Sequence, residues 1–134
     1  MSFSETIYED IVAAVVSEYE KLADTATDNL NPRATFAGCL VRTAGHDFMD
    51  FRIQSDGTFK GGSDGCINFK DADNTGLAQC LFDANMVSLY EGFCTTVSLA
   101  DFLVIAAEAV MGRTATGYNS SNRFATGTYA NVLK

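Results

Sequence analysis

Between Phe102 and Val110 every residue except Glu108 is apolar, and just ahead of this run Ser98 and Asp101 stand at the spacing of a helical capping box. A helix apolar on nearly all sides cannot lie on a surface, so this one is expected at the centre of the molecule with other helices packed around it. Gly112 is placed to end it. The chain offers three helices to surround it. Ser2 and Glu5 make a capping box for a first helix over 2–24, on which Ile7, Ile11, Ala14, Val15, Glu18 and Leu22 trace a mostly apolar stripe. Asn31 can cap a second helix with Pro32 in its first turn, turning Phe36, Leu40, Val41 and Ala44 inward. Leu77, Cys80, Leu81, Ala84 and Val87 give a third, ending near Tyr90 and Gly92, with Phe82 and Met86 beside the stripe as further core residues. The fold class that follows is all-α, with four main helices in a single domain over 1–134.

Two stretches lack periodicity. From Asp47 to Asp73 glycine, serine and aspartate dominate, which predicts a long central loop ordered by its own turns or by a ligand. Beyond Arg113 the composition shifts to Gly, Thr, Asn, Ser and Tyr, predicting an irregular tail over 113–134 held down by Tyr118, Phe124, Tyr129 and Leu133.

Nine Lys and Arg against seventeen Asp and Glu leave a net charge of −8, and the basic residues form no cluster, which argues against a nucleic-acid or anionic-membrane partner. A basic or neutral protein surface suits this charge better. No apolar run is long enough to cross a bilayer. The start, Met1-Ser-Phe-Ser-Glu5, has neither the basic nor the apolar region of an export signal, so no compartment can be read from it. The four cysteines, Cys39, Cys66, Cys80 and Cys94, match no zinc spacing and permit three pairings. An even count is compatible with disulfides in an organelle lumen or another oxidising compartment. Cys66 with Cys80 is the favoured single pair because a short loop separates them, while Cys39 and Cys80 lie in apolar helical patterns where buried free thiols are equally ordinary.

Arg42 and His46 are four residues apart on the second helix, so their side chains rise from one face and reach a common point. His46 is the only histidine. A neutral imidazole beside a guanidinium can take a proton from a bound peroxide while the arginine stabilises the charge that develops as the O–O bond breaks. A solvated Arg42 and a His46 bonded to Asp47 or a backbone carbonyl would explain the same string.

From Pro32 to about Met111 the chain resembles the plant-type haem peroxidases, the superfamily of ascorbate, cytochrome c, fungal and plant secretory peroxidases. Arg42, His46 and Asp47 match its distal R-x-x-x-H-D motif, Gly61-Gly-Ser-Asp-Gly-Cys-Ile67 is similar to the Gly-rich loop that follows, and Asn74-Thr-Gly-Leu77 to its N-x-G-L. Val97-Ser-Leu-Ala-Asp-Phe102 and Ile105-Ala-Ala107 resemble the V-S-x-A-D helix further on. The resemblance implies the distal half of a haem-binding helical fold that reduces hydrogen peroxide under oxidative stress, with Arg42, His46 and Asn74 as its catalytic residues. Asn74 would accept from the imidazole N–H and fix its tautomer, a role compatible with capping the next helix. It also implies a calcium held by Asp47, the Gly62 carbonyl, Asp64 and Cys66. At that last position relatives carry a serine, and a thiol is a poor ligand for a hard cation. An Asp/Gly loop tied by its own Asx turns is the other reading. Secretory relatives also carry a cysteine where Cys94 stands, but their N-terminal partner has no counterpart here.

The relatives bind iron through a second, proximal histidine from the other half of the fold, and they place Trp or Phe where this chain has Gly45. Neither a second histidine nor any tryptophan is present. The function expected is therefore a peroxidase-like domain without the proximal half, a non-catalytic accessory or scaffold subunit whose apolar face is covered by a larger protein assembly. The alternative is a fragment, or one chain, of a haem-dependent peroxidase.

Overall fold

Short-range signals account for where the helices start. In the computed structural model, which describes residues 4–25 and 31–120, helix α1 runs over Glu5–Lys21 and Ser4 caps it, its side chain accepting from the Ile7 N–H at 3.3 Å. The predicted cap, Ser2, lies outside the described residues. Helix α2 covers Pro32–Met49, with Asn31 Oδ1 accepting from the Ala34 N–H at 3.1 Å and proline in the first turn. Helix α5 covers Leu99–Ser120 and opens on the predicted box, since Ser98 Oγ accepts the Asp101 N–H at 3.1 Å and donates to the Asp101 carboxylate at 2.7 Å.

The fold is all-α. Helix α5 is its axis, packed along α2 and α1, and it buries Phe102, Leu103, Ile105, Ala106, Ala107, Ala109 and Val110. Against it α1 sets Ile11, Val15 and Tyr19, one above another at i, i+4 and i+8, and α2 sets Phe36 and Leu40. Tyr19 meets Phe36 edge-on with ring centroids 6.2 Å apart. Val41, which the sequence pattern turns inward, is 39% exposed, because one residue past Leu40 the helix has already turned outward. Gly112 does not end α5. It keeps helical geometry, and the Thr114 and Thr116 hydroxyls bond back to the Val110 and Gly112 carbonyls at 2.6 and 2.9 Å. The first eight residues of the expected irregular tail are thus helical, while 121–134, including Phe124, Tyr129 and Leu133, lie outside the described residues together with the Tyr118 side chain.

The third helix of the sequence reading is two short ones, α3 (Leu77–Asp83) and α4 (Met86–Glu91). They are separated at Asn85, whose φ of 56° is a conformation asparagine tolerates better than most residues. The break re-aims the stripe. Leu77, Ala84 and Met86 are buried, whereas Phe82 and Val87, both expected in or beside the core stripe, are 74% and 62% exposed. A disulfide joins Cys39 on α2 to Cys80 on α3, with Cα atoms 5.9 Å apart, in place of the expected Cys66–Cys80 pair. Neighbouring helices bring those two together, while Cys66 and Cys94 are free and exposed.

The long loop contains a small hairpin, β1 (Arg52–Ile53) antiparallel to β2 (Phe59–Lys60), with Ile53 opposite Phe59 and Arg52 opposite Lys60. Its turn is closed by Asp56, which accepts from the Thr58 N–H at 2.9 Å and the Thr58 hydroxyl at 2.7 Å. Those bonds hold the Asp56 carboxyl below the ordinary carboxylate range. Among the described residues no helix is long and apolar enough to cross a membrane.

Candidate functional site

One flank of α2 presents Cys39, Arg42 and His46, at i, i+3 and i+7, to the segment from Asp73 to Cys80. Arg42 reaches across with both terminal nitrogens, donating to the Asp73 carbonyl at 2.9 Å and the Thr75 carbonyl at 3.1 Å. It makes no ion pair among the described residues. His46 is half-buried, and its Nδ1 lies 2.6 Å from Asn74 Oδ1.

The far end of that pair fixes its protonation. The Asn74 amide nitrogen donates to the Asn68 carbonyl at 2.9 Å, which turns Oδ1 toward His46. An amide oxygen only accepts, so the imidazole must donate, and a neutral ring then carries its proton on Nδ1 and its lone pair on Nε2. Asn74 itself is presented by a single 3₁₀ turn, Ala72–Asn74, capped by Asp71. Gly76, at φ 86°, then redirects the chain into α3. The N-cap of α3 is this glycine, so the capping role weighed for Asn74 is not the one it plays.

Asp47, next in sequence to His46, points the other way. It is 2% exposed, and its two oxygens take the Gly65 N–H at 2.9 and 3.1 Å and the Ser63 hydroxyl at 3.3 Å. Gly65 has a φ of 79° and lies so close to Leu99 that a Cβ would sit 3.0 Å from that side chain. The carboxylate therefore ties the central loop to α2 directly above the start of α5. Asp50 takes the Gly62 N–H at 2.6 Å, and Asp64 accepts from the Cys66 N–H at 2.8 Å. The charge of Asp64 pushes the Cys66 thiol up, with Asp47 and Asp50 adding to it. Of the calcium set, Asp47 and Asp64 accept from N–H donors, and Cys66 brings sulfur where a hard cation takes oxygen. These residues do not fit a hard oxygen-seeking cation, and the Asx-turn reading describes the loop.

Away from the core, α2 turns Gly38, Val41, Gly45 and Met49 to one line, at i, i+3, i+7 and i+11. A Cβ at Gly38 or Gly45 would meet nothing within 4 Å, and Met49 is 64% exposed. Phe48, Phe51, Ile53 and Phe59 are exposed as well, with Phe51 stacked on Phe59 at 5.8 Å. Arg42 and His46 lie beside the α2 line.

A haem is the cofactor the resemblance implies, and the donor set of this chain does not make up its site. One imidazole cannot both stand over a haem as a base and ligate the iron from below. The structure bonds His46 to Asn74 and Arg42 to the carbonyls on either side of Asn74, and Asn68, Asp50 and Ser63 make further bonds to Asn74 and the central loop. No periodicity marks those three, because Asn68 acts through its own carbonyl, Asp50 on the Gly62 N–H and Ser63 on the Asp47 side chain, each between residues remote in sequence. No family model, curated protein or solved structure matches this chain.

Proposed function

We propose that this chain is a peroxidase-like domain that keeps the distal arrangement of Arg42, His46 and Asn74 and serves as a non-catalytic accessory or scaffold subunit, docked on a larger protein. The observation that carries the reading is the uncovered line of Gly38, Val41, Gly45 and Met49 on α2 beside the trio, with Phe48, Phe51, Ile53 and Phe59 exposed as well. So many exposed large apolar side chains on and just after one helix favour an interaction site on a folded domain. Helix glycines with open space in front of them let a partner approach the backbone. The test is to isolate the protein from its native source without denaturant and measure apparent mass, haem content and peroxide turnover. A haem-free assembly much larger than 14.4 kDa supports the proposal. A monomer that carries haem and consumes hydrogen peroxide overturns it.

A second reading, a fragment or one chain of a haem-dependent peroxidase, is favoured by the His46–Asn74 bond at 2.6 Å. In that reading His46 Nε2 accepts the proton of a bound peroxide, and the Arg42 N–H groups steady the charge left on the oxygen. Peroxide turnover by the native assembly, lost in His46→Ala, would put this reading first.

A further inference from the structure

We infer that the Cys39–Cys80 disulfide is a redox-sensitive cross-link that holds Asn74 against His46, so that a dithiol reductant releases the imidazole from its fixed tautomer. The inference rests on the reading of His46 and Asn74 as site residues and concerns the regulation of that site. Three tethers run in order along one flank of α2. Cys39 is bonded to Cys80, Arg42 to the carbonyls of Asp73 and Thr75, and His46 to Asn74. The disulfide spans 41 residues, and Arg42, His46, Asp47 and Asn74 all lie inside the covalent ring it closes. Leu77 of α3 is fully buried and Leu81 packs partly buried against the core, so noncovalent packing holds one side of this helix and the disulfide adds a covalent tether beside it. Asn74 stands three residues before α3, joined to it by Thr75 and Gly76, and the bonds from Arg42 and to Asn68 hold the same turn.

The bond is reachable. Cys39 and Cys80 line a cavity of about 300 Å³ together with Leu22, Pro32, Phe36 and Ala84, and Cys80 is the more exposed of the two sulfurs' residues. A thiolate of the reductant attacks the Cys80 sulfur, forming a mixed disulfide while the Cys39 sulfur leaves as a thiolate and takes a proton from water. The reductant's second thiol, deprotonated, then displaces the Cys80 sulfur, which is protonated in turn. Two electrons pass from the dithiol to the protein, and the reductant ends as its own disulfide.

The experiment uses the full chain and dithiothreitol. As His46 is the only histidine, a long-range ¹H–¹⁵N spectrum at about pH 8.5, some two units above the ordinary imidazole value, reports one neutral ring and its tautomer. The oxidised chain should show the Nδ1–H pattern. On reduction that pattern should be lost to a tautomer mixture like that of Asn74→Ala, with the helical far-ultraviolet spectrum retained and the original pattern restored by reoxidation. The Cys39→Ser/Cys80→Ser double variant should show the mixture with or without dithiothreitol. An unchanged Nδ1–H pattern in the reduced chain overturns the inference. So does loss of helix on reduction, since the bond would then be holding the fold and not the site. None of these readouts involves a partner or haem, so the inference and the accessory-subunit reading can fail separately.

Discussion

His46 and Asn74, 28 residues apart in sequence, are joined by a hydrogen bond of 2.6 Å between Nδ1 and Oδ1, and this bond decides which imidazole nitrogen faces outward. Asn74→Ala removes the acceptor while leaving the 3₁₀ turn, whose cap is the Asp71 side chain. The expected outcome is an intact fold, a loss of about 0.5–1.5 kcal/mol in unfolding free energy, and a His46 ring no longer confined to the Nδ1–H tautomer. Chemical denaturation and imidazole ¹⁵N shifts measure the two effects independently.

Asp47 is a buried charge satisfied by the Gly65 N–H and the Ser63 hydroxyl. Asp47→Ala leaves that N–H without an acceptor and should destabilise by about 1.5–3 kcal/mol, whereas Asp47→Asn keeps an oxygen and should lose less. Because the carboxylate is already engaged, adding calcium after chelation should leave the thermal midpoint of the wild type where it was. Scanning calorimetry on the three proteins checks both statements.

Gly38 and Gly45 lie in the middle of α2 with nothing within 4 Å of a Cβ. Replacing either with alanine should raise stability by about 0.5–1 kcal/mol, the usual helix-interior difference between the two residues. If their side of α2 is a docking face, the same substitutions should lower the yield of the native assembly while making the isolated chain harder to unfold. That opposite pair of effects can be read from denaturant melts and sizing columns.

The Cys66 thiol sits beside Asp64, whose charge raises its pKa. Asp64→Asn removes the charge but keeps an oxygen to accept the Cys66 N–H. The sign follows from the charge. With less opposition to the thiolate, the pKa falls, and the pH profile of iodoacetamide labelling at Cys66 should move to lower pH in the variant. Mass-spectrometric labelling rates from pH 7 to 10, separated from those at Cys94, test this.

The sequence alone determined what depends on neighbours within a turn or two. Asn31 with Pro32 and Ser98 with Asp101 start helices because caps act on N–H groups two or three residues away. The near-continuous apolar run through Val110 could only be a central helix, and the four-residue spacing of Arg42 and His46 put both on the Asn74 side of α2. Tertiary structure decided the rest, for reasons of energy spread over many contacts. The third helical pattern reads as continuous, yet packing of Ala84 and Met86 against the core outweighs the local cost of a left-handed Asn85 and splits it. Glycine most often stops a helix by taking up a left-handed conformation, which Gly112 does not, and burial of Ala109 and Val110 just before it accompanies a helix that runs through it. Which cysteine meets Cys80 depended on how α2 and α3 lie side by side. Beside their side-chain partners, Asp47 and Asn74 are held by the Gly65 N–H and the Asn68 carbonyl, and since every residue but proline has both groups, no side-chain pattern could have named those two.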